Sequence, residues 1–424
     1  MNCTQNERIN QVSEQTLVIG VDIASELNYA RAFNWRGIEK GKVFKFFNNL
    51  EGFQAFNEWA HQVMSANKLT NLIVAAEPTG HYWFGLADYL KDEKLKLVLV
   101  NPFYVNRAKE LDDNHPSKTD AKDPKTIAKL VIEGRYMEPY IPEGVYADLR
   151  IMYNCRQKVT KAMISLENQL KRWFKIYFPE YLSVFGNLSG QGSMAVLEKA
   201  VLPEDIISLG VDGINKLWRE RKLRAVGMKR AESLYEAAVK SIGRREGSVG
   251  GRAEFRMLWE DYCHKMEQME KLNIELESLL HKVPQAEEVL KMKGIGVVSV
   301  AGFFAEVGDL RRFESPKQIQ KLAGLAIREN SSGKHKGQTT ISKRGRARLR
   351  TVLFNAAIAL VGRNGAFKSI HEYYIGRKAN PLKKKQSIVA VSCKLIRIIY
   401  AICRHKEAYD EAKMLRDIRR EQLA

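Results

Sequence analysis

Cysteine is scarce in this chain, and the few present form no pattern. In 424 residues there are five: Cys3, Cys155, Cys263, Cys393 and Cys403. The number is odd and no two stand in a CxxC spacing. That excludes a disulfide framework and a zinc ribbon, and it fits a reducing compartment. Cys263 precedes His264 without further ligand types nearby, so a packed thiol is expected there rather than a metal ligand. The amino-terminal MNCTQNERINQ lacks the apolar core of a secretory signal. No apolar run approaches the ~20 residues needed to cross a bilayer. These absences predict a cytoplasmic protein with no membrane partner. No fixed-period repeat is present. Acids are also in short supply: Lys and Arg number 69 against 49 Asp and Glu, a formal charge of +20. The excess is uneven, with 17 Lys or Arg and a single acid, Glu372, between Asn330 and His405. Concentrated positive charge of this kind predicts a polyanionic partner, because cations gain by displacing phosphate counterions.

What is present is a mixed α/β pattern followed by helix. The length accommodates two or three domains, and 45% apolar residues support real cores. Residues 16–24, 27–35 and 41–48 read as strands, and 50–66 has helical spacing. Strand, helix and strand return at 70–76, 82–92 and 95–100, with helices at 103–111 and about 120–134. The order β-β-β-α-β-α-β-α is that of an RNase H-like fold, a three-strand meander followed by parallel strands laid through helical crossovers.

Four acids are placed on this frame. Asp22 ends TLVIGVD, Glu77 follows NLIVAA, and Asp120 and Asp123 stand three apart at the mouth of a helix in SKTDAKDPKTIAKL. Each has a plain structural reading. Asp22 can end a strand and Glu77 can sit in a loop. Ser117 with Asp120 resembles a capping box, and Asp123 resembles an N-cap before Pro124. Taken together, carboxylates at the ends of neighbouring strands and at a helix mouth suit Mg²⁺ held against a phosphodiester.

Long helical patterns follow at 148–178 and 254–282, predicting an antiparallel or intersubunit coiled coil, or two helices of a bundle. Between them, 179–253 is rich in glycine and charge. It reads as an inserted subdomain or arm with short helices at best, and 241–252 as a flexible basic linker. The last domain opens with Gly294-Ile295-Gly296 before an apolar helix. That is either a helix-hairpin-helix element able to hold phosphate or a tight turn for close packing. Ser331-Ser332-Gly333 then stands among Lys334, Lys336, Lys343, Arg344, Arg346, Arg348 and Arg350. Ser-Ser-Gly is ordinarily a turn. A serine hydroxyl can also attack phosphorus, with the cations stabilising the phosphoryl charge. No His-Asp pair nearby suggests a hydrolase triad.

The motifs VIGVDIAS, AAEPTGHYW, VNPFYVNRAKE and SKTDAKDPKTIAKL resemble the RuvC-like domain of DEDD transposases of the insertion-sequence one-ten family. KGIGVVSVAGFFAEVGDLRRFESPKQIQKLAGL and SSGKHKGQTTISKRGRARLRTVLFNAA resemble that family's C-terminal transposase domain. The resemblance implies Asp22, Glu77, Asp120 and Asp123 as Mg²⁺ ligands and Ser332 as nucleophile, with Ser331 as the fallback. It implies a structured non-coding guide RNA pairing with donor and target DNA. It further implies a homo-oligomer, dimer to tetramer, with active sites shared between subunits. The expected architecture is α/β plus α: an RNase H-like, RuvC-like domain (1–140), coiled-coil helices with the 179–253 insertion (141–285), and a mainly helical transposase domain (286–424). The expected function is DNA recombination for a mobile element. A metal-dependent Holliday-junction resolvase and an inactive DNA- or RNA-binding derivative are the alternatives. An actin-like ATPase would need Gly-rich phosphate loops between the early strands, and Glu26-Leu27-Asn28 offers none.

Overall fold

The computed structural model describes residues 4–112, 123–328, 331–332, 335–336 and 339–422. The chain divides into two compact units, Met1–Ile141 and Pro142–Ala424.

The first unit is an α/β layer structure. Its elements are α1 (Gln5–Asn10), β1 (Thr16–Asp22), β2 (Leu27–Phe33), β3 (Phe44–Phe47), α2 (Leu50–Ala66), β4 (Asn71–Ala76), α3 (Trp83–Asp92), β5 (Lys96–Val100), α4 (Pro102–Asp112), α5 (Asp123–Ile132) and β6 (Tyr136–Met137). The sheet order is β3-β2-β1-β4-β5-β6. β1, β2 and β3 form an antiparallel meander, β4 runs parallel to β1 and β5 parallel to β4, and β6 closes the edge antiparallel to β5. β1 is central and covered on both faces, which is why its sequence is continuously apolar rather than alternating. Leu17, Ile19 and Val21 pack with Phe53, Phe56 and Leu86 of α2 and α3. Val18 packs on the opposite face with Ile127, Ala128 and Val131 of α5.

The second unit is mainly helical. Its frame is α6 (Val145–Tyr177); α7 (Tyr181–Val184), α8 (Gln191–Leu197), α9 (Pro203–Glu220) and α10 (Met228–Val239) follow, and α11 (Ser248–His281) returns along α6. α12 (Ala286–Leu290), α13 (Val297–Val307) and α14 (Pro316–Leu322) come next. Short strand pairs are then made by β7 (Ile327–Arg328) with β10 (Thr340–Ile341) and by β8 (Ser331–Ser332) with β9 (His335–Lys336). α15 (Ala347–Arg363), α16 (Gly365–Gly376), α17 (Lys384–His405) and α18 (Glu411–Gln422) complete the unit.

α6 and α11 are antiparallel within one chain. Near one end Trp173 Nε1 donates to the Gly251 carbonyl at 2.8 Å, and further along Arg156 Nε donates to Asn273 Oδ1 at 2.8 Å. Of the pairings the sequence allowed, the antiparallel one within a single chain is formed. Leu166 and Leu170 are buried in an intramolecular core with Trp218, Phe255 and Trp259.

Two further expectations are corrected. Of the two readings of segment 179–253, the inserted subdomain holds: it is four helices around Tyr181, Ile206, Ile214 and Trp218, each fully buried, and the expected flexible linker does not hold. Its apolar residues come from short separate helices, and Gly210 (φ 68°) breaks α9, so no window carries a sustained period. The supposed linker is strapped down: Glu180 accepts from Ser241 Oγ at 2.6 Å and from the Ile242 N–H at 3.0 Å. In addition, α17 is long and apolar enough, by length and composition, to cross a membrane, although cations interrupt its apolar run. Its Val391, Leu395, Ile396 and Ile399 lie in the core of the second unit.

Candidate functional site

Asp22 and Glu77 lie at the carboxyl edge of the central sheet, and Asp123 begins α5. The β1–β4 register pairs Val21 with Ala76, so Asp22 and Glu77 occupy the next positions on adjacent parallel strands. Neighbouring strands lie ~4.8 Å apart. Side chains alternate along a strand. Asp22 therefore shares the face of Val18 and Gly20, and Glu77 the face of Ile73 and Ala75, which is the face covered by α5. Asp123 is the first residue of α5, and Pro124 lies in the first turn, where its missing N–H costs no helical bond. A Cβ on Gly20 would lie 1.9 Å from the Pro124 carbonyl oxygen. Glycine at position 20 thus lets the start of α5 rest directly on β1, two residues from Asp22.

All three acids are half-buried, and each has interaction partners. Asn28, fully buried in β2, accepts the Ala24 N–H at 2.9 Å and fixes the turn that follows Asp22. Asp120 lies outside the described residues. Among the described residues no group of three or more acids, histidines or cysteines is close enough to hold a metal ion. Asp22, Glu77 and Asp123 are hard oxygen donors, the ligand type that suits Mg²⁺ rather than a soft metal, but the three do not come together as a ligand set.

The serines lie in the second unit. β7 and β10 pair Ile327 with Ile341 and Arg328 with Thr340. Below them the stem continues, with Ser342 N–H donating to Ala326 O, Lys343 N–H to Gly324 O and Arg346 N–H to Leu322 O. Beyond them β8 and β9 set Ser332 opposite His335 and Ser331 opposite Lys336. Ser331 and Ser332 thus belong to a paired strand rather than to an unpaired loop. His335 as the register partner of Ser332 was missed in the sequence. The signal was the two-residue Gly-Lys spacing between SS and HK, which favours a hairpin.

The basic cluster separates into two groups. Arg346 donates to the Glu306 carbonyl and stands 3.6 Å from its buried carboxylate. Arg348 donates to Asn154 Oδ1, and Arg350 to the Ala323 carbonyl at 2.9 Å. Arg346 ties the foot of the stem to α13, Arg350 ties α15 to the end of α14, and Arg348 ties α15 to α6. Lys343 and Arg344 are exposed. Lys334 and the side chain of Lys336 lie outside the described set. Of the Gly-Ile-Gly element, Gly294 (φ 102°) serves close packing: a Cβ there would lie 3.0 Å from Arg363 Cβ on α15. Three of the cysteines are held as thiols by burial. Burial pushes the Cys403 thiol up to about 12 and raises Cys393 and Cys263 as well.

Two family models match the chain: the DEDD transposase model of the IS110 type over residues 19–179, and the transposase model of the IS116/IS110/IS902 family over 286–374. The chain belongs to the IS110-type DEDD transposases. Among its relatives is an uncharacterized 44.8 kDa protein of insertion element IS116 from Streptomyces clavuligerus, 24% identical over 70% of this chain and 73% of that protein. The pilin gene-inverting protein of Moraxella bovis is 25% identical over 86% and 90% of the two chains. That of Moraxella lacunata is 31% identical over 35% and 47%. The transposase is a DNA-acting enzyme of the recombinase type, and DNA is its partner.

Proposed function

We propose that the transposase moves its insertion sequence as an Mg²⁺-dependent serine recombinase guided by a structured non-coding RNA. It acts in the cytoplasm as a dimer to tetramer. Residues 1–140 form the RNase H-like, RuvC-like domain, and residues 286–424 form the transposase domain that carries the serine. The observation that carries this reading is the register of β1 against β4, which sets Asp22 beside Glu77 on the face where α5 begins. Asp22, Glu77, Asp120 and Asp123 hold the divalent ion. Bound there, the ion would polarise the scissile phosphate and stabilise the attacking and leaving oxygens. Ser332 Oγ attacks phosphorus, the Oγ–P bond forms as one bridging P–O bond breaks, and the serine proton ends on the departing hydroxyl. Lys343 and Arg344 face the strand backbone, Arg346 keeps the foot of the stem in place, and Arg348 and Arg350 tie down α15. Rejoining reverses the step. Two relatives are named gene-inverting proteins, which supports rejoining over hydrolysis by a resolvase. Guide RNA is supported by the motif resemblance and by the charge of the second unit.

The test is trapping on DNA under denaturing conditions, followed by peptide mapping. Ser332→Ala should bind DNA and RNA normally and form no covalent adduct, and Ser331→Ala should keep most activity. Asp22→Asn should abolish cleavage without loss of thermal stability, since like-charge repulsion falls. DNA cut without any labelled serine would replace the recombinase by a resolvase.

A further inference from the structure

The four-helix insertion carries a cleft that the transposase chemistry does not use. The cleft has a volume of about 610 Å³ and lies between the α7–α8 loop and the turn joining α9 to α10. Lys222, Arg224 and Arg230 line it together with Asn187, Gln191 and Phe185, and among the described residues no acid does. The stretch from Arg219 to Arg230 holds six cations and one acid, Glu220. Two of the six are engaged in holding the fold: Arg219 donates to the Val226 carbonyl, and Arg221 is paired with Glu198. Lys222, Arg224 and Arg230 remain exposed around the cleft. The Arg230 guanidinium lies over the Phe185 ring, 5.4 Å from its centroid, which holds it in place as a flat cationic surface. A second hollow of about 450 Å³ shares Val226 and Arg230 with the first and adds Lys229 and Ser233, so the basic groove continues along the start of α10.

We propose that this groove binds an unpaired nucleic-acid strand, one or two nucleotides of it seated in the cleft. Cations without acids select phosphate. The amides of Asn187 and Gln191 offer donors and acceptors for exposed base edges. A concavity in the ~300–1,000 Å³ range takes a unit the size of a small ligand, whereas a duplex presents a convex, uniform backbone that cannot enter it. Unpaired nucleotides can be splayed into such a site and laid against a guanidinium plane.

The experiment uses the full-length protein and labelled 20-mers of single-stranded RNA, single-stranded DNA and duplex DNA, titrated at several salt concentrations. The triple variant Lys222→Gln, Arg224→Gln, Arg230→Gln should lose at least tenfold in affinity for one or both unpaired strands. The slope of log affinity against log salt should fall by about 2, roughly 0.7 per lost phosphate contact. Duplex affinity should stay within about twofold. Loss for RNA alone or DNA alone supports the groove and names the strand. Unchanged affinity for both unpaired strands in a folded variant overturns the proposal, and so does an equal loss for duplex. Should the triple variant fail to fold, ultraviolet cross-linking of thio-substituted strands to the wild-type protein decides. Cross-linked peptides within 184–193 or 222–233 support the groove, and cross-links confined to other segments overturn it. None of these readouts depends on Ser332 or on the acids, so the proposal stands or falls apart from the recombination mechanism.

Discussion

At the residue scale, Gly20 shows how a position without a side chain can position chemistry. It carries no functional group, yet the first turn of α5 touches β1 only because no Cβ intervenes. An alanine there meets a backbone oxygen, which has no flexible side chain to yield, so the helix must move. Gly20→Ala should lower stability by about 1–3 kcal/mol, the usual cost of overpacking a core, measured by denaturant unfolding. It should also reduce DNA cleavage more than it reduces DNA binding, because Asp123 moves with α5. Near-normal cleavage in a destabilised Gly20→Ala protein would mean that Asp123 is not held by this contact. Asp22 and Glu77 were legible in the sequence because each ends an apolar strand, and strand order alone makes them neighbours. The contact of Gly20 with Pro124 was not legible, since it joins residues more than a hundred positions apart through the crossing of a helix over a sheet. The roles of Arg346, Arg348 and Arg350 were hidden for the same reason. In sequence they look like any other part of a cationic run, and only the fold brings Glu306, Asn154 and the Ala323 carbonyl to them.

At the scale of elements, the helices of the second unit show why a regular pattern is easier to read than an irregular one. The spacing of Leu149, Met152, Leu166, Leu170 and Trp173 announced α6, and that of Leu258, Tyr262 and Leu276 announced α11. What that spacing left open was whether the two helices pair within one chain or between subunits, because the segment between them is itself a folded subdomain. Leu170→Glu would therefore unfold a core rather than dissociate an oligomer. The subdomain is fastened by ions as well as by apolar contacts. Asp205 sits at the start of α9, accepts from the Val201 and Leu202 N–H groups at 3.0 and 2.9 Å, and pairs with Arg252 of α11. Burial raises its pKa, but Arg252 and the two N–H groups more than offset this, so the carboxyl ends below its usual range. A group whose folded pKa is depressed stabilises the fold above its unfolded value, near 3.9, and that contribution is lost as pH falls through the folded value. Asp205→Asn should thus melt below wild type at pH 7, with the difference closing as the pH is lowered beneath about 4. A constant gap in melting temperature down to pH 2.5 would show that the charge on Asp205 is not what ties α9 to α11.

At the scale of the whole molecule, the charge excess of +20 bears on partners rather than on fold. Its densest part, 330–405, is not uniformly available to a polyanion. Arg346, Arg348 and Arg350 each donate to a protein acceptor, so they are expected to give less to phosphate than the exposed Lys343 and Arg344. Two kinds of substitution should behave differently in consequence. Lys343→Gln and Arg344→Gln remove exposed charges from the stem of the serine hairpin. Each should weaken duplex DNA binding and lower the salt slope by about one contact, roughly 0.9 in log–log units, with the melting temperature unchanged. Arg346→Gln removes the partner of the buried Glu306 carboxylate and a donor to its carbonyl. It should lower the melting temperature, because leaving a buried charge unpaired costs about 3–5 kcal/mol, and only secondarily weaken binding. For the wild type, six or more surviving phosphate contacts across the protein would cost about three to five decades of affinity between 50 and 200 mM salt. A flat salt response would detach the charge from nucleic acid altogether. An Arg346→Gln protein that melts like wild type but binds with a shallower salt slope would return that arginine to the DNA-facing group.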